Sequence, residues 1–253
     1  MHTVAFTTDP TASGRYARHA DAVLRSGFAT LTADDFGGLA SDPELAACHA
    51  RWGDLPVDEE MPPGATYRRR RFGRLRLAVT DSGMTVQALP HSSFTQDAAI
   101  NAMHQGRARM FAPIPHEVLL GPAMRALVAL DAAIVSAVTG NRNWLVNLHM
   151  IRVVAHSGLD GQPTPEGRHR DGHLFVGMHL LGRNGCAGGE SVVYRDDAPV
   201  MKLTLQNSLD SLIVDDHRVT HEVTPVTAVA GEGIRDMLLV DLNIDLNADA
   251  NES

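Results

Sequence analysis

The sequence from about residue 143 onward is a series of short β-prone runs, and this pattern constrains the fold more than any other feature. Runs rich in Val, Leu and Ile are separated by clusters of Gly, Pro, Asn and Asp, which are turn residues. The predicted strands are 144–154, 174–181, 191–195, 201–205, 208–214 and 235–244. Many short strands without helices between them indicate a sandwich or barrel rather than alternating βα units.

The first part of the sequence has helical segments with recognisable boundaries. Residues 15–25 predict a helix, and Gly27 is a typical stop after it. Residues 42–50 predict a second helix, for which Ser41 or Asp42 is a favourable N-cap because a short polar side chain can accept a hydrogen bond from the first turn. Both helices precede the β-rich part of the chain.

The clearest helix is predicted for residues 120–138, where seven apolar side chains fall on one face at helical spacing. Gly140 is a suitable end for this helix, which we expect to support the core. Two β segments are also predicted in this part: a short strand at 28–31 and a strand pair within 67–79, with its turn near Gly73.

These elements predict an α+β fold, mainly β: a double-stranded β-helix (jelly-roll, cupin-like) core with N-terminal helices packed on one face. A length of 253 residues suits a single domain. We expect residues 1–142 to form a mixed helical and strand support region, residues 143–245 to form the jelly-roll core with the site, and residues 246–253 to form a flexible tail.

Composition argues against several classes of partner. A net charge of −8 disfavours attraction to nucleic acid or to an anionic membrane, so neither is an expected partner. Cys48 and Cys186 are too few for a disulfide framework and form no CxxC motif. The N-terminus has no basic region followed by an apolar run, and no uncharged apolar stretch of ~18 residues occurs. We therefore expect a cytoplasmic protein with reduced thiols.

A metal site is predicted at His169-Arg170-Asp171. On an extended chain, residues two apart point to the same face, so an imidazole and a carboxylate lie side by side. This tripeptide alone is common and also occurs as a surface ion pair. A third ligand is available from His217 or His221. Two histidines and one carboxylate leave three coordination positions open, which is typical of non-haem iron(II) that binds a cosubstrate and O₂.

An anion-binding residue is predicted on the strand that follows. Arg235 shares strand parity with Met237 and Leu239, so it points toward the core. A buried guanidinium requires an anionic partner, and it binds a carboxylate through two hydrogen bonds. The distal carboxylate of 2-oxoglutarate would satisfy it. The alternative is a surface ion pair of Arg235 with Asp236 or Asp241.

Further polar residues are candidates for contact with a substrate or, equally, hydrogen-bonded groups of the core. His173 shares strand parity with the proposed ligand pair, and Asn147 and His149 share one face of a predicted strand. Arg152 and the arginine run at 68–71 offer guanidinium groups to a substrate carboxylate. Such a run is more often the solvated face of a strand pair.

Four segments occur in the order found in a known family of bacterial enzymes. They are EGRHRDGH at 166–173, NGCAGGES at 184–191, DDHRVTHEVTPV at 215–226 and IRDMLLVDL at 234–242. Together they resemble the iron(II)/2-oxoglutarate dioxygenases that hydroxylate free amino acids, the group typified by L-isoleucine dioxygenase. Four ordered motifs are much more specific than a single His-x-Asp tripeptide.

The resemblance implies roles for individual residues. His169 and Asp171 match the His-x-Asp ligands, and His221 matches the distal histidine because it precedes the Val-Thr-Pro element. Arg235 matches the arginine that binds 2-oxoglutarate, whereas His217 falls outside the motif as a loop residue. The implied cofactors are Fe(II), 2-oxoglutarate and O₂, with ascorbate in vitro.

The implied reaction is hydroxylation of an unactivated C–H bond in a free L-amino acid or a related small molecule. It is coupled to oxidative decarboxylation of 2-oxoglutarate to succinate and CO₂. Two alternatives remain open at this point: a cupin-type iron dioxygenase that binds its substrate directly without 2-oxoglutarate, and a non-enzymatic jelly-roll protein that binds a metal or a small molecule. A 2-oxoglutarate-binding role of Arg235 argues against the first alternative, and an intact set of three ligands argues against the second.

Overall fold

Antiparallel β-sheets form the centre of the computed structural model, which describes residues 3–6, 12–80, 83–98 and 106–246. The strands are β1 Thr3–Phe6, β2 Phe28–Leu31, β3 Arg68–Thr80, β4 Gly83–Ala88, β5 Ala112–Pro113, β6 Asn143–His156, β7 Phe175–Asn184, β8 Cys186–Gly188, β9 Glu190–Arg195, β10 Ala198–Thr204, β11 Ser211–Asp215, β12 Thr220–Val223, β13 Val226–Ala228 and β14 Glu232–Ile244. The helices are α1 Ala12–Ser26, α2 Pro43–Ala50, α3 His116–Leu119 and α4 Pro122–Thr139, with 3₁₀ segments at Ala33–Ser41 and Arg51–Asp54. Beyond Leu246, the predicted tail lies outside the described residues.

Two sheets face each other across an apolar layer. The larger sheet has the strand order β1-β4-β3-β6-β14-β7-β11-β2, with β5 added beside β3. The smaller sheet has the order β10-β9-β12, and β8 pairs with β13. Val193 of the smaller sheet packs in one cluster with Val176, Met178 and Leu180 of the larger sheet. This arrangement confirms the predicted jelly roll.

Helix α4 covers the outer face of the larger sheet and confirms the helix predicted at 120–138. Its buried side chains, including Leu127 and Ile134, join the main apolar cluster. In the part of the chain that the structure describes, α4 alone is long and apolar enough to cross a membrane, but 56% of it is buried against the rest of the protein. It is therefore a core helix in this fold.

Helices α1 and α2 confirm the helices predicted at 15–25 and 42–50, although α1 begins three residues earlier, whereas the short helix α3 was not predicted. Helix α1 ends before Gly27, whose φ of 86° is readily adopted only by glycine. Asp42 caps α2, because its side chain accepts a hydrogen bond of 2.9 Å from the backbone N–H of Glu44. Cys48 and Cys186 are both free thiols.

The strand pair predicted within 67–79 is wrong. This segment is one continuous strand, β3, which pairs with β6 on one side and with β4 on the other. Gly73 lies in its interior rather than at a turn. A Cβ there would lie 2.8 Å from Leu119 Cδ1, so the glycine permits close packing of α3 on the sheet. A glycine in a strand indicates either a turn or the close approach of another segment. Gly73 permits the close approach of Leu119.

Candidate metal centre and cavity

Two backbone segments bring the predicted ligands together. His169 lies in the loop after β6, and His221 lies on β12 of the smaller sheet. An isolated antiparallel bridge joins them, in which each backbone N–H donates to the carbonyl of the other residue at 2.9 Å. The bridge sets the two imidazoles side by side, with ring centroids 4.6 Å apart.

The Asp171 carboxylate completes the cluster. Its Oδ1 lies 3.5 Å from His169 Nε2, and its Oδ2 lies 3.3 Å from His221 Nε2. One ligand atom from each residue can be chosen so that all three lie within 4.8 Å of one another. The structure therefore brings His169, Asp171 and His221 together, whereas His217 is exposed on the loop before β12.

Asp216 holds the ligand loop in place, and sequence reasoning missed it. Its carboxylate accepts hydrogen bonds from the backbone N–H groups of Asp171 at 3.1 Å, Gly172 at 2.7 Å and His173 at 3.2 Å. Gly172 adopts a φ of 83°, which turns the chain around the carboxylate. The one sequence signal was a pair of acidic residues, Asp215 and Asp216, directly after a predicted strand, and that signal does not distinguish a backbone acceptor from an ordinary turn residue.

Hydrogen bonding and charge prepare the cluster for a cation. The Nδ1 of His169 lies 2.9 Å from the Gly167 carbonyl, so this nitrogen donates and leaves Nε2 facing Asp171. Burial opposes protonation of His169, but Asp171 and Glu166 outweigh it and raise its pKa to about 9. Burial raises the pKa of Asp171, but the hydrogen bonds and positive charges of His169 and His221 outweigh burial and hold this pKa well below its usual range.

The donor set fits a mononuclear iron(II) centre. Asp171 Oδ2 is buried and has no hydrogen-bond partner, as expected of an oxygen that serves as a metal ligand. Two imidazoles and one carboxylate on one side of an ion match the facial arrangement of non-haem iron(II) oxygenases, which leaves positions open for other ligands. His169, Asp171 and His221 would hold the metal.

Arg235 lies on β14 in the wall of the same cavity and is only 3% exposed. Its Nε is buried without a hydrogen-bond partner, and no carboxylate in the described residues pairs with it. Burial and the nearby Arg183 lower its pKa to about 10. Gly189 makes room for it, because a Cβ there would lie 3.1 Å from Arg235 Cδ. The guanidinium therefore has capacity for an anion.

The alternative partners considered for Arg235 are engaged elsewhere. Asp236 accepts two hydrogen bonds from Arg152, at 2.7 and 2.8 Å. Asp241 lies 3.1 Å from the Nε2 atoms of both His149 and His173. An ion pair of Arg235 with either carboxylate is thus contradicted by the structure.

The cavity has an empty volume of about 830 Å³, counted to its open mouth. Its floor is the inner face of β3, β6 and β14, where residues from the three strands align in rows. One row contains Arg68, Val153 and Arg235, and the next contains Arg70, Ile151 and Met237. The metal cluster and Arg235 both line this space. Further apolar lining is provided by Met178, Val223 and Leu239.

Alternation along β3 divides the arginine run between the two faces of the sheet. Arg68 and Arg70 are buried and line the cavity, whereas Arg69 and Arg71 point to the other face. Besides Arg68, Arg70 and Arg235, a fourth buried guanidinium, that of Arg109, lines the cavity, and sequence reasoning missed it. Its backbone pairs with Phe94, a contact that no local pattern in the sequence predicts.

His149 lines the cavity as part of a buried network. Its Nδ1 lies 2.7 Å from Arg70 Nη2, and because a guanidinium only donates, this nitrogen accepts and Nε2 carries the proton toward Asp241. Burial and Arg70 lower the pKa of His149 to about 4. His173 Nε2 lies 3.1 Å from Asp241. Burial lowers the pKa of His173, but the negative charge of Asp241 outweighs burial and raises this pKa to about 9. His173 therefore belongs to the hydrogen-bonded wall rather than to the cavity lining.

Two of the predicted substrate residues lie elsewhere. Arg152 points to the outer face of the sheet, where Asp236 binds it, and this position corrects the prediction that it contacts substrate. Asn147 pairs in register with Asp241 and Arg74 on the inner face, but of these three residues only Asp241 lines the cavity. Strand parity identified the face of Asn147 but not how far along the strand the cavity extends.

Comparison with known proteins agrees with this geometry. A family model described as 2OG-Fe dioxygenase matches residues 49–241, which include all three candidate ligands and Arg235. None of the curated proteins matches the chain significantly. In the sequence, the matched region begins well before the candidate metal ligands, so it also includes β3, the strand that carries Arg68 and Arg70.

Several crystal structures have the same fold. A BsmA homolog from Methylobium petroleophilum is 28% identical, with 91% of this chain and 93% of that chain covered and a TM-score of 0.80. IDO from Bacillus thuringiensis is 18% identical, with 97% and 99% covered and a TM-score of 0.74. The Fe(II)/α-ketoglutarate-dependent dioxygenase TqaL is 18% identical, with 94% and 91% covered and a TM-score of 0.69.

Proposed function

The chain belongs to the 2OG-Fe dioxygenase family, and on that premise we propose that it hydroxylates an unactivated C–H bond of a free L-amino acid or a closely related small molecule. The cofactors of this family are Fe(II), 2-oxoglutarate and O₂. When bound, the iron couples decarboxylation of 2-oxoglutarate to insertion of one oxygen atom into the substrate.

Three side chains would hold the iron and fix which of its positions remain open. His169 presents Nε2 because its Nδ1 is engaged with the Gly167 carbonyl, and Asp171 presents a carboxylate oxygen with no other partner. His221 is held beside them by the backbone bridge. All three residues line the cavity, where cosubstrate and substrate would reach the metal.

The buried Arg235 is the observation on which the cosubstrate assignment rests. A guanidinium without an anionic partner in a closed wall is costly, and a bound carboxylate removes that cost. We assign it to the distal carboxylate of 2-oxoglutarate. An iron dioxygenase without 2-oxoglutarate gives this buried cation no role in holding a cosubstrate.

The lining of the cavity supports a small substrate. The same space, which opens to solvent, must also accommodate 2-oxoglutarate. Apolar side chains such as Ile151 and Met237 alternate with the arginines along its floor. This mixture suits a molecule with one charged end and one aliphatic end.

The test is turnover with Fe(II), 2-oxoglutarate, ascorbate and O₂ against each of the common L-amino acids. Succinate and a one-oxygen gain in substrate mass are read together by mass spectrometry. We expect both signals with at least one amino acid, and we expect Arg235→Gln to raise the KM for 2-oxoglutarate by about 10- to 100-fold. Oxygenated product that forms without 2-oxoglutarate would contradict the assignment.

A further inference from the structure

The cavity contains more buried positive charge than the cosubstrate site uses. Arg70 and Arg109 both line it and are only 8% and 2% exposed. Across the described ranges of the chain, no carboxylate forms an ion pair with either guanidinium. Arg68, by contrast, is neutralised by the buried Asp58, whose Oδ2 lies 2.7 Å from Arg68 Nε. Arg70 and Arg109 are therefore two uncompensated cations.

Neutral groups hold these two guanidiniums in fixed orientations. Arg70 Nη2 lies 2.7 Å from His149 Nδ1, and Arg109 donates to the side-chain oxygen of Gln96. Both cations lie near the Phe111 ring, with Cζ 4.0 Å from its centroid for Arg70 and 5.5 Å for Arg109. Arg109 Nε remains buried without a partner. Both side chains are thus oriented in advance for an anionic ligand, which is how a binding site reduces the cost of ordering.

This pair is separate from the cosubstrate arginine. Arg70 is on β3 and Arg235 is on β14, with β6 between them. Two strand spacings correspond to about 9–10 Å between their backbones, and the two residues also lie in adjacent rows. Burial and Arg183 lower the pKa of Arg235 to about 10, with no contribution from Arg70 or Arg109, so the positive charge of this pair lies apart from that of Arg235. A second position for an anion is therefore available beside Arg70 and Arg109.

An acceptor for a cation lies in the same space. Glu166 lines the cavity, and its Oε2 is buried without a hydrogen-bond partner. Its Oε1 lies 3.9 Å from His169 Nε2, so the carboxylate is close to the metal centre. Burial lowers the pKa of Arg109 to about 10, and the negative charge of Glu166 opposes that shift, so the two groups interact.

We propose that Arg70 and Arg109 bind the α-carboxylate of the substrate and that Glu166 accepts its α-ammonium group. This inference rests on the proposed function and specifies how the substrate class is recognised. A zwitterion satisfies all three groups, a simple carboxylic acid leaves Glu166 unpaired, and a dicarboxylate would be repelled by it. The apolar wall at Ile151 and Met237 is then available to the substrate side chain.

The experiment is calorimetric titration of the full-length protein, loaded with Fe(II) and 2-oxoglutarate without O₂. The probes are the twenty common L-amino acids, taken one at a time, followed by the methyl ester and the des-amino acid of the tightest binder. The variants are Arg70→Gln and Arg109→Gln, with Arg70→Lys and Arg109→Lys as charge-retaining versions. Arg69→Gln is the matched control, because it removes the same charge from the same strand on the opposite face.

We expect each Gln variant to weaken amino-acid binding by about 10- to 100-fold, and the methyl ester to bind wild type equally poorly. The Lys variants should recover part of the loss, and Arg69→Gln should stay within twofold of wild type. Equal binding by wild type and both Gln variants would overturn the proposal, as would tight binding of the ester or the absence of binding by any amino acid.

Binding of 2-oxoglutarate separates this inference from the proposed function. Wild type and Arg69→Gln should both bind 2-oxoglutarate and should form succinate slowly without substrate. If wild type itself fails to bind 2-oxoglutarate, the proposed function fails instead. For Glu166→Gln, we expect the preference for the amino acid over its des-amino analogue to fall by about tenfold, with iron content unchanged. An unchanged preference would remove Glu166 from the recognition site.

Discussion

Two histidine–carboxylate clusters lie on opposite sides of the larger sheet, and only one of them has side-chain atoms that a metal ion or ligand can reach. On the outer face, His179 Nε2 lies 2.9 Å from Asp131 Oδ2, and its Nδ1 lies 2.9 Å from Ser211 Oγ. On the inner side of the sheet, His169, Asp171 and His221 lie close together and line an open cavity. Residue type therefore does not distinguish the functional cluster.

What distinguishes the two clusters is access. His179, Asp131 and Ser211 are all completely buried, and both ring nitrogens of the histidine have partners. Ser211 Oγ also donates to the Leu209 carbonyl at 2.7 Å, so its proton is engaged. This Asp–His–Ser chain resembles a hydrolase triad in composition, but nothing can reach it. The outer cluster therefore stabilises the packing of α4 on the sheet, whereas the inner cluster has atoms available for a ligand.

The largest expected effect comes from removing a ligand of the inner cluster. His221→Ala leaves only two ligands for the iron, so we expect bound iron and succinate formation both to fall to background. Iron is measured by elemental analysis of the purified protein. His217→Ala is the matched control, because His217 is an exposed histidine four residues away and should retain both properties. If His217→Ala loses iron and His221→Ala does not, the ligand assignment is wrong.

The next effect is on stability, and it tests the outer cluster. Asp131→Ala leaves His179 buried without its partner, and breaking such a pair costs about 3–5 kcal/mol in the free energy of unfolding. Denaturant unfolding measures this loss, while the KM values of the protein that remains folded should not change. The double variant with His179→Leu should recover most of the stability, because no unpaired polar group then remains. A change in KM would mean that the two faces are coupled.

His169 and Asp171 could be predicted from sequence because their spacing is local. The residues alone left His217 and His221 as candidates for the third ligand, and the family resemblance selected His221, which precedes a Val-Thr-Pro element. The features that were missed depend on tertiary contacts. Asp216 acts through backbone N–H groups of another loop, and Arg109 reaches the cavity through pairing with a distant segment.

For the fold as well, features set by neighbouring residues could be predicted from the sequence, whereas features set by tertiary contacts could not. Apolar periodicity predicted the long helix and the main strands, because burial of one face imposes that period. The interpretation of Gly73 as a turn was wrong, since only the packing of Leu119 explains the glycine. The arginine run at 68–71 was interpreted mainly as a solvated face, whereas Arg68 and Arg70 line the cavity, because no sequence signal states which face of a strand borders a cavity.

A smaller effect is expected from the residue that supports the ligand loop. In Asp216→Asn the side chain keeps its shape but loses the charge that three backbone N–H groups share. Partners that orient ligands typically contribute 10- to 100-fold in metal affinity, so we expect an iron Kd raised by about that factor. Asp215→Asn is the neighbouring control, since its carboxylate contacts only the backbone of the exposed His217 among the contacts described. Equal Kd values for both variants would assign Asp216 a purely structural role.

The smallest effect is a pH dependence on the cavity side of the sheet. Burial lowers the pKa of His149 to about 4, below its ordinary value of 6.5, so the unfolded chain takes up a proton on this histidine first as pH falls. The stability that His149 contributes is complete above pH 6.5 and is lost between 6.5 and 4. We expect the difference in unfolding free energy between wild type and His149→Gln to shrink by about 1 kcal/mol from pH 7.5 to 5.5. Asp241 and His173, which face this histidine, are present in both proteins, so to first order their own titrations cancel in the difference. A difference that stays constant over this range would show that His149 is not held neutral beside Arg70.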